Sequence, residues 1–175
     1  MQSAAFGPDG RRIVTASEGN TARIWDAATA KQIAPLEGHT GRVRSAAFSP
    51  DGRHIVTASN DNSARLWDAA TGHEIARLEG HTNDVLSATF SPDGGRIVTA
   101  SEDNTARIWD AATGHEIARL EGHTKSVLSA AFSPDGRRIV TASYENTARI
   151  WDAATGNEIA ALEGHTNWVL NAAFS

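Results

Sequence analysis

The chain has 175 residues, 40% of them hydrophobic, which is enough for a packed core and too apolar for a disordered segment. Its formal charge of −5, from 16 basic and 21 acidic residues spread evenly, leaves no basic footprint, so neither nucleic acid nor an anionic membrane is expected as a partner. Without cysteine there is no disulfide framework, thiol nucleophile or thiolate zinc site; without a leader or a bilayer-length apolar run, the expected compartment is the cytoplasm.

In chain order, four short runs recur. The first is of the kind V-x-S-A-A-F, as in Val43–Phe48, and residues 1–7 align with residues 43–49. A Ser-Pro-Asp-Gly turn (residues 49–52) leads to a second run such as Arg96–Ser101, RIVTAS. A polar turn (Asn60, Asp61, Asn62) leads to a third, TARIW at residues 105–109. Ala-Ala-Thr-Gly (residues 69–72) precedes a fourth, Glu116–Leu120, and a loop opening on Gly-His-Thr (residues 80–82) starts the next cycle. Pro, Asp, Asn and Gly suit tight turns, and connections this short force antiparallel neighbours. Each cycle is therefore expected to form one four-stranded meander with no helix. The period is 42 residues, marked by Trp25, Trp67, Trp109 and Trp151, each followed by Asp. It divides the chain into blocks at about 1–42, 43–84, 85–126 and 127–168, and residues 169–175 repeat the first run once more.

Gly-His near the start of each cycle and Trp-Asp near its end, at this period and along the whole chain, resemble the WD-repeat β-propellers. The resemblance implies an all-β β-propeller of four-stranded antiparallel blades, four blades per chain, with the first run of each blade innermost. The small residues of that run, S-A-A-F or S-A-T-F, independently suit a crowded axis. It also implies a non-enzymatic protein-interaction scaffold without cofactors.

Further, the resemblance implies a buried hydrogen-bond chain in each blade, running from Trp through Ser and His to an acid. The residues are His39, Ser59, Asp61 and Trp67 in the second blade and His81, Ser101, Asp103 and Trp109 in the third. In the fourth they are His123, Ser143, Glu145 and Trp151, with Glu where Asp is expected. The first blade has Ser17 and Trp25 but Gly19 at the acid position and no preceding Gly-His. A Ser/His/Asp set also suggests a hydrolase, but recurrence at one spacing in successive blades favours a structural network over a single catalytic cleft. His73 and His115 follow turns with no second ligand at a repeating spacing, and Asp9, Asp51, Asp93 and Asp135 are turn formers, so no metal site is expected.

The copies differ chiefly in the pair before each first run and in the turn after each second run, and in a meander both emerge at one end. The Ser-Pro-Asp-Gly and Ala-Ala-Thr-Gly turns at the other end hardly change. Loops on a rigid scaffold are where binding residues gather, so the variable end is expected to meet a protein or peptide through Arg42, Arg44, Asp84, Lys125, Tyr144 and Trp168. The surplus run and His165 form the piece the first blade lacks. Residues 164–175 are therefore expected to complete a first blade, with either residues 1–7 or residues 169–175 in its innermost slot, and two chains to pair as halves of a ring of roughly eight blades. A self-assembling unit with no evolved ligand is the second reading, and the near-identity of the copies fits either a piece of a longer array or a deliberately assembled repeat.

Overall fold

The computed structural model describes residues 2–175, and among them there are sixteen strands and no helix. The strands form four antiparallel sheets, each running outward in chain order. The first blade is β1 (Ser3–Phe6), β2 (Arg12–Ala16), β3 (Ala22–Asp26) and β4 (Gln32–Leu36). The second is β5 (Val43–Phe48), β6 (His54–Ser59), β7 (Ser63–Asp68) and β8 (Glu74–Glu79). The third is β9 (Val85–Phe90), β10 (Arg96–Ser101), β11 (Ala106–Asp110) and β12 (Glu116–Leu120). The fourth is β13 (Val127–Phe132), β14 (Arg138–Ser143), β15 (Ala148–Asp152) and β16 (Glu158–Leu162). These are propeller blades of the expected class.

Local chemistry fixes the turns. Asn62, Asn104 and Asn146 hold left-handed backbone after the second strands, as do Gly52, Gly94 and Gly136 after the first, which Asn and Gly do at least cost. The third turn is tied by its aspartate. Asp68 Oδ1 accepts from Thr71 N at 2.7 Å and from the Thr71 hydroxyl at 2.8 Å, and Asp26, Asp110 and Asp152 repeat the pattern.

A meander buries one face only against a neighbour, and alternate residues serve the two sides. Val14, Ala16, Ala22, Ile24 and Leu36 of the first blade pack against Val43, Ala46, Ile55, Trp67 and Ala69 of the second. The same two half-surfaces meet again between the second and third blades and between the third and fourth. Trp67, Trp109 and Trp151 are buried at these seams and count among the largest fully buried side chains.

The ends differ. On the first blade Ile13, Trp25 and Ala27, counterparts of the buried Ile55, Trp67 and Ala69, are only partly covered. On the fourth, Val140, Ala142, Ala148 and Ile150 are covered by Val169, Ala172 and Phe174, with no residue of the first blade in the cluster. The single chain is thus an arc with two end faces. The innermost slot of the first blade is filled by β1, with Ser3 opposite Ala16 and Phe6 opposite Ile13. Residues 169–174 have no strand partner and lie against the fourth blade where the inner strand of a following blade belongs; Val169 N donates to Ser143 O at 3.2 Å.

Candidate functional site

Each interior seam contains a relay of polar groups. In the second blade the Trp67 indole donates to Thr57 Oγ1 at 2.8 Å, Thr57 meets His39 Nε2 at 2.7 Å, and His39 Nδ1 meets Asp61 Oδ2 at 2.8 Å. The third blade repeats it with Trp109, Thr99, His81 and Asp103, and the fourth with Trp151, Thr141, His123 and Glu145. The carboxylate can only accept, so His Nδ1 carries the proton and donates to it; Nε2 of the neutral ring then accepts from the threonine hydroxyl, whose oxygen accepts in turn from the indole. All donors run in one direction, and the histidine side chains are fully buried.

The hydroxyl in this relay is threonine, which corrects the assignment of Ser59, Ser101 and Ser143. The reason is register. Trp67 stands opposite Ile55, so Thr57 lies two residues along the strand and Ser59 four, about 13 Å away at ~3.3 Å per residue and beyond an indole's reach. The serines serve the loops. Ser59 Oγ donates to Gly41 O at 3.0 Å and accepts from Asp61 N at 3.2 Å, and Ser101 and Ser143 bond likewise to Asn83 O and Lys125 O at 3.1 Å. The Ser/His/Asp set of a hydrolase is therefore not assembled, and Thr57, which faces the histidine, is completely buried.

The acids set the strength of the relay. Burial would raise the Asp61 carboxyl, but hydrogen bonds from His39, the Ser63 hydroxyl and Thr40 N outweigh it and hold the group far below the usual carboxylate range. Asp103 is held down in the same way by His81, Thr105 and Thr82 N. Glu145, one methylene longer, also ends far below its ordinary value, against burial, through the Thr124 hydroxyl and amide, Thr147 and His123. Its extra reach brings Oε1 to 3.3 Å from Arg149 Nε, whereas the corresponding Nε atoms of Arg65 and Arg107 are buried without a partner. Burial pushes His123 below its ordinary value, against the pull of Glu145.

In the first blade the relay stops short. Trp25 donates to Thr15 Oγ1 at 2.9 Å, but where the histidine belongs there is a cavity of about 320 Å3 beside Thr15, Ser17 and Trp25. Ser17 Oγ accepts from Gly19 N at 3.3 Å. His165 is exposed in the segment lying against the fourth blade and is not brought to Ser17 or Trp25 within one chain.

The residues of the variable end all lie on the loops before the inner strands and after the second strands, or at the first positions of an inner strand. Tyr144 and Trp168 stack edge to face with ring centroids 4.8 Å apart, and Trp168 is 59% exposed. Arg44 Nε donates to Asn60 Oδ1 at 2.7 Å, and Arg42 lies 3.9 Å from Glu18 in an open ion pair. Asp84 is half-buried and its carbonyl accepts from Glu102 N, while the Lys125 side chain is exposed.

Repeated four-stranded blades stacked on a common axis, stitched by Trp–Thr–His–acid relays, define a WD-type propeller. Residues 2–26, 30–68, 72–110 and 114–152 match the family model of the WD domain, G-beta repeat, and the chain belongs to that WD40 family. The last three matched units are offset from the sheets, since each begins just before the outer strand of one blade and ends on the Trp-Asp of the next, while the first runs from β1 to the Trp-Asp of the same blade. No curated protein matches the chain in sequence. WD40 repeats form a protein-interaction kind of scaffold, generally non-enzymatic.

Proposed function

We propose that two copies of this chain join head to tail into a ring of eight blades whose variable end binds a protein or peptide. The observation that carries this reading is the pair of end faces. Val140, Ala142, Ala148 and Ile150 on the fourth blade are the half-surface that packs three times inside the chain, and Ile13, Trp25 and Ala27 on the first are the other half. A surface that fits the back of the second blade fits the back of the first, because the residues are the same. Two such contacts related by a two-fold axis close a ring, and the partly open apolar face of the first blade favours closure.

In that ring residues 169–175, already seated on the fourth blade, take the innermost slot of the partner's first blade and release its β1. His165 then fills the cavity beside Thr15 and Trp25. Tyr144, Trp168, Arg42, Arg44, Asp84 and Lys125 lie together at one end of the ring, an aromatic pair flanked by charges of both signs, which suits a peptide contact.

Light scattering after gel filtration tests the assembly. The expected mass is twice 18.5 kDa, falling to a single copy for Trp25→Glu, which places a charge on the seam, and unchanged for Trp168→Ala. A single-copy mass at every concentration would overturn the ring.

A further inference from the structure

At the end of the blades opposite the variable loops, an arginine arm crosses two of the three interior seams. Arg12 of the first blade reaches to the second, where its guanidinium donates to Gly52 O at 2.7 Å and to Ala69 O at 3.0 Å. Its charged carbon sits 5.5 Å from the centre of the Phe48 ring. Arg96 of the third blade does the same to the fourth, with Gly136 O and Ala153 O both at 2.7 Å and the Phe132 ring at 5.3 Å. One guanidinium thus satisfies two carbonyls and lies over an aromatic face, a combination that its planar fork makes and an ammonium does not.

The middle seam has no such arm. The position of Arg12 and Arg96 is His54 in the second blade, and its imidazole is too short to cross. In addition, Gly95 stands where Arg11, Arg53 and Arg137 stand in the other blades, so two of the basic side chains that this end carries elsewhere are missing at one place. Among the described residues no side chain donates to Gly94 O or Ala111 O, the counterparts of the carbonyls that hold Arg12 and Arg96. Exposure agrees. Ala69 and Ala153 are completely buried and Gly52 and Gly136 are buried, whereas Gly94 and Ala111 are partly open. They line a cavity of about 580 Å3 together with Asp51, His54, Asp93 and Asp110. Each of these aspartates spends Oδ1 on its own turn, on Ser49, Ser91 and Thr113 respectively.

We infer that this cavity between the second and third blades is a binding site for an arginine side chain presented by a partner polypeptide. The guanidinium would donate to Gly94 O and Ala111 O as Arg12 and Arg96 do at their own seams. Asp51, Asp93 and Asp110 supply opposite charge at the cavity wall. Phe90, at the sequence position of Phe48 and Phe132, is buried outside that wall. The site lies inside one chain and at the other end from the variable loops, so it stands or falls independently of the eight-blade ring.

The probe is N-acetyl-arginine amide, titrated into the labelled full chain and followed in two-dimensional amide spectra, with the lysine and citrulline analogues as comparators. The expected result is saturable movement of the Gly94, Gly95, Ala111 and Ala112 amides by the arginine compound, binding at least about fivefold weaker for lysine, and none for uncharged citrulline. His54→Arg, which restores the arm, should abolish the response while keeping the fold, since Arg fills that position in both neighbouring seams. Arg96→Ala should open a second responding site at Gly136 and Ala153. No saturable movement, equal binding of lysine, or a response that persists in His54→Arg would each overturn the assignment.

Discussion

The strands Ala22–Asp26 and Ala106–Asp110 are the same five residues, ARIWD, yet only the second is buried along nearly its whole length. Arg107 is 6% exposed and Trp109 1%, whereas Arg23 is exposed and Trp25 only partly covered. The difference lies entirely outside the strand. Trp109 has the second blade against its face and His81 from the loop ahead of its own blade, and Trp25 has neither. A blade of this kind therefore carries half an interface and three-quarters of a relay, and its neighbour and the preceding loop supply the rest. This is the one-dimensional economy of repeat folds, in which stability is the sum of what each unit brings and what each seam adds.

The sharpest way to break the comparison is to remove the two indoles in turn. Trp109→Ala should cost about 3–5 kcal/mol, the usual range for a buried aromatic truncation, because it empties a seam and leaves Thr99 without its donor. Trp25→Ala should cost roughly 1–2 kcal/mol in dilute protein, since its ring is already partly exposed. Denaturant unfolding at low concentration reads both values. If the two variants lose equally there, the first blade is not open. If the gap closes only as concentration rises, the second copy proposed above is covering Trp25.

A smaller effect separates the two hydroxyls on each second strand. Thr99→Val leaves the Trp109 indole and His81 Nε2 facing a methyl group, and each buried polar atom so stranded costs about 1–3 kcal/mol. Ser101→Ala removes a loop bond to Asn83 O and should cost about 1 kcal/mol. The same threonine change in the first blade, Thr15→Val, should be milder than Thr99→Val, because water can enter the neighbouring cavity. Thermal melts of the three variants give the order, and a Ser101→Ala loss larger than that of Thr99→Val would return the relay to serine.

That pair of hydroxyls also shows where reading the sequence ends. The 42-residue period, the strand runs and the turn residues are local patterns, so the four meanders were legible without coordinates. The relay was legible in its tryptophan, histidine and acid. In T-A-S, however, both hydroxyls lie on the same strand face, and only the pairing of Trp109 with Ile97 decides which of them the indole meets. The arginine arms were hidden for another reason. His54 and Gly95 depart visibly from the Arg-Arg of the other copies, but the end that carries them reads as constant when judged by its Ser-Pro-Asp-Gly turns. What the departure removes is a contact to the next blade, some 40 residues on, which no run of neighbouring residues reveals.

The subtlest prediction concerns the response of the fourth blade to pH. His123 is held below its ordinary value of 6.5 by burial, so the unfolded chain takes up that proton first and stability falls as the pH drops below 6.5. The acids have the opposite charge but the same direction of effect. Asp61, Asp103 and Glu145 are held below their ordinary values of 3.8 and 4.5, so what they contribute is complete above those values and is lost on further acidification. Two steps are therefore expected. Protection factors, corrected for the intrinsic slowing of amide exchange in acid, should fall first in Arg138–Ser143 and Ala148–Asp152 as the pH drops below 6.5, and a loss common to all three relays should follow below about 4. His123→Gln should erase the first step and leave the second, at the expense of a weaker bond to Glu145. Flat protection of the fourth blade from pH 7 to 5 would mean that the Glu145 carboxylate holds the imidazolium as firmly as the imidazole, and that its longer reach offsets the cost of burial.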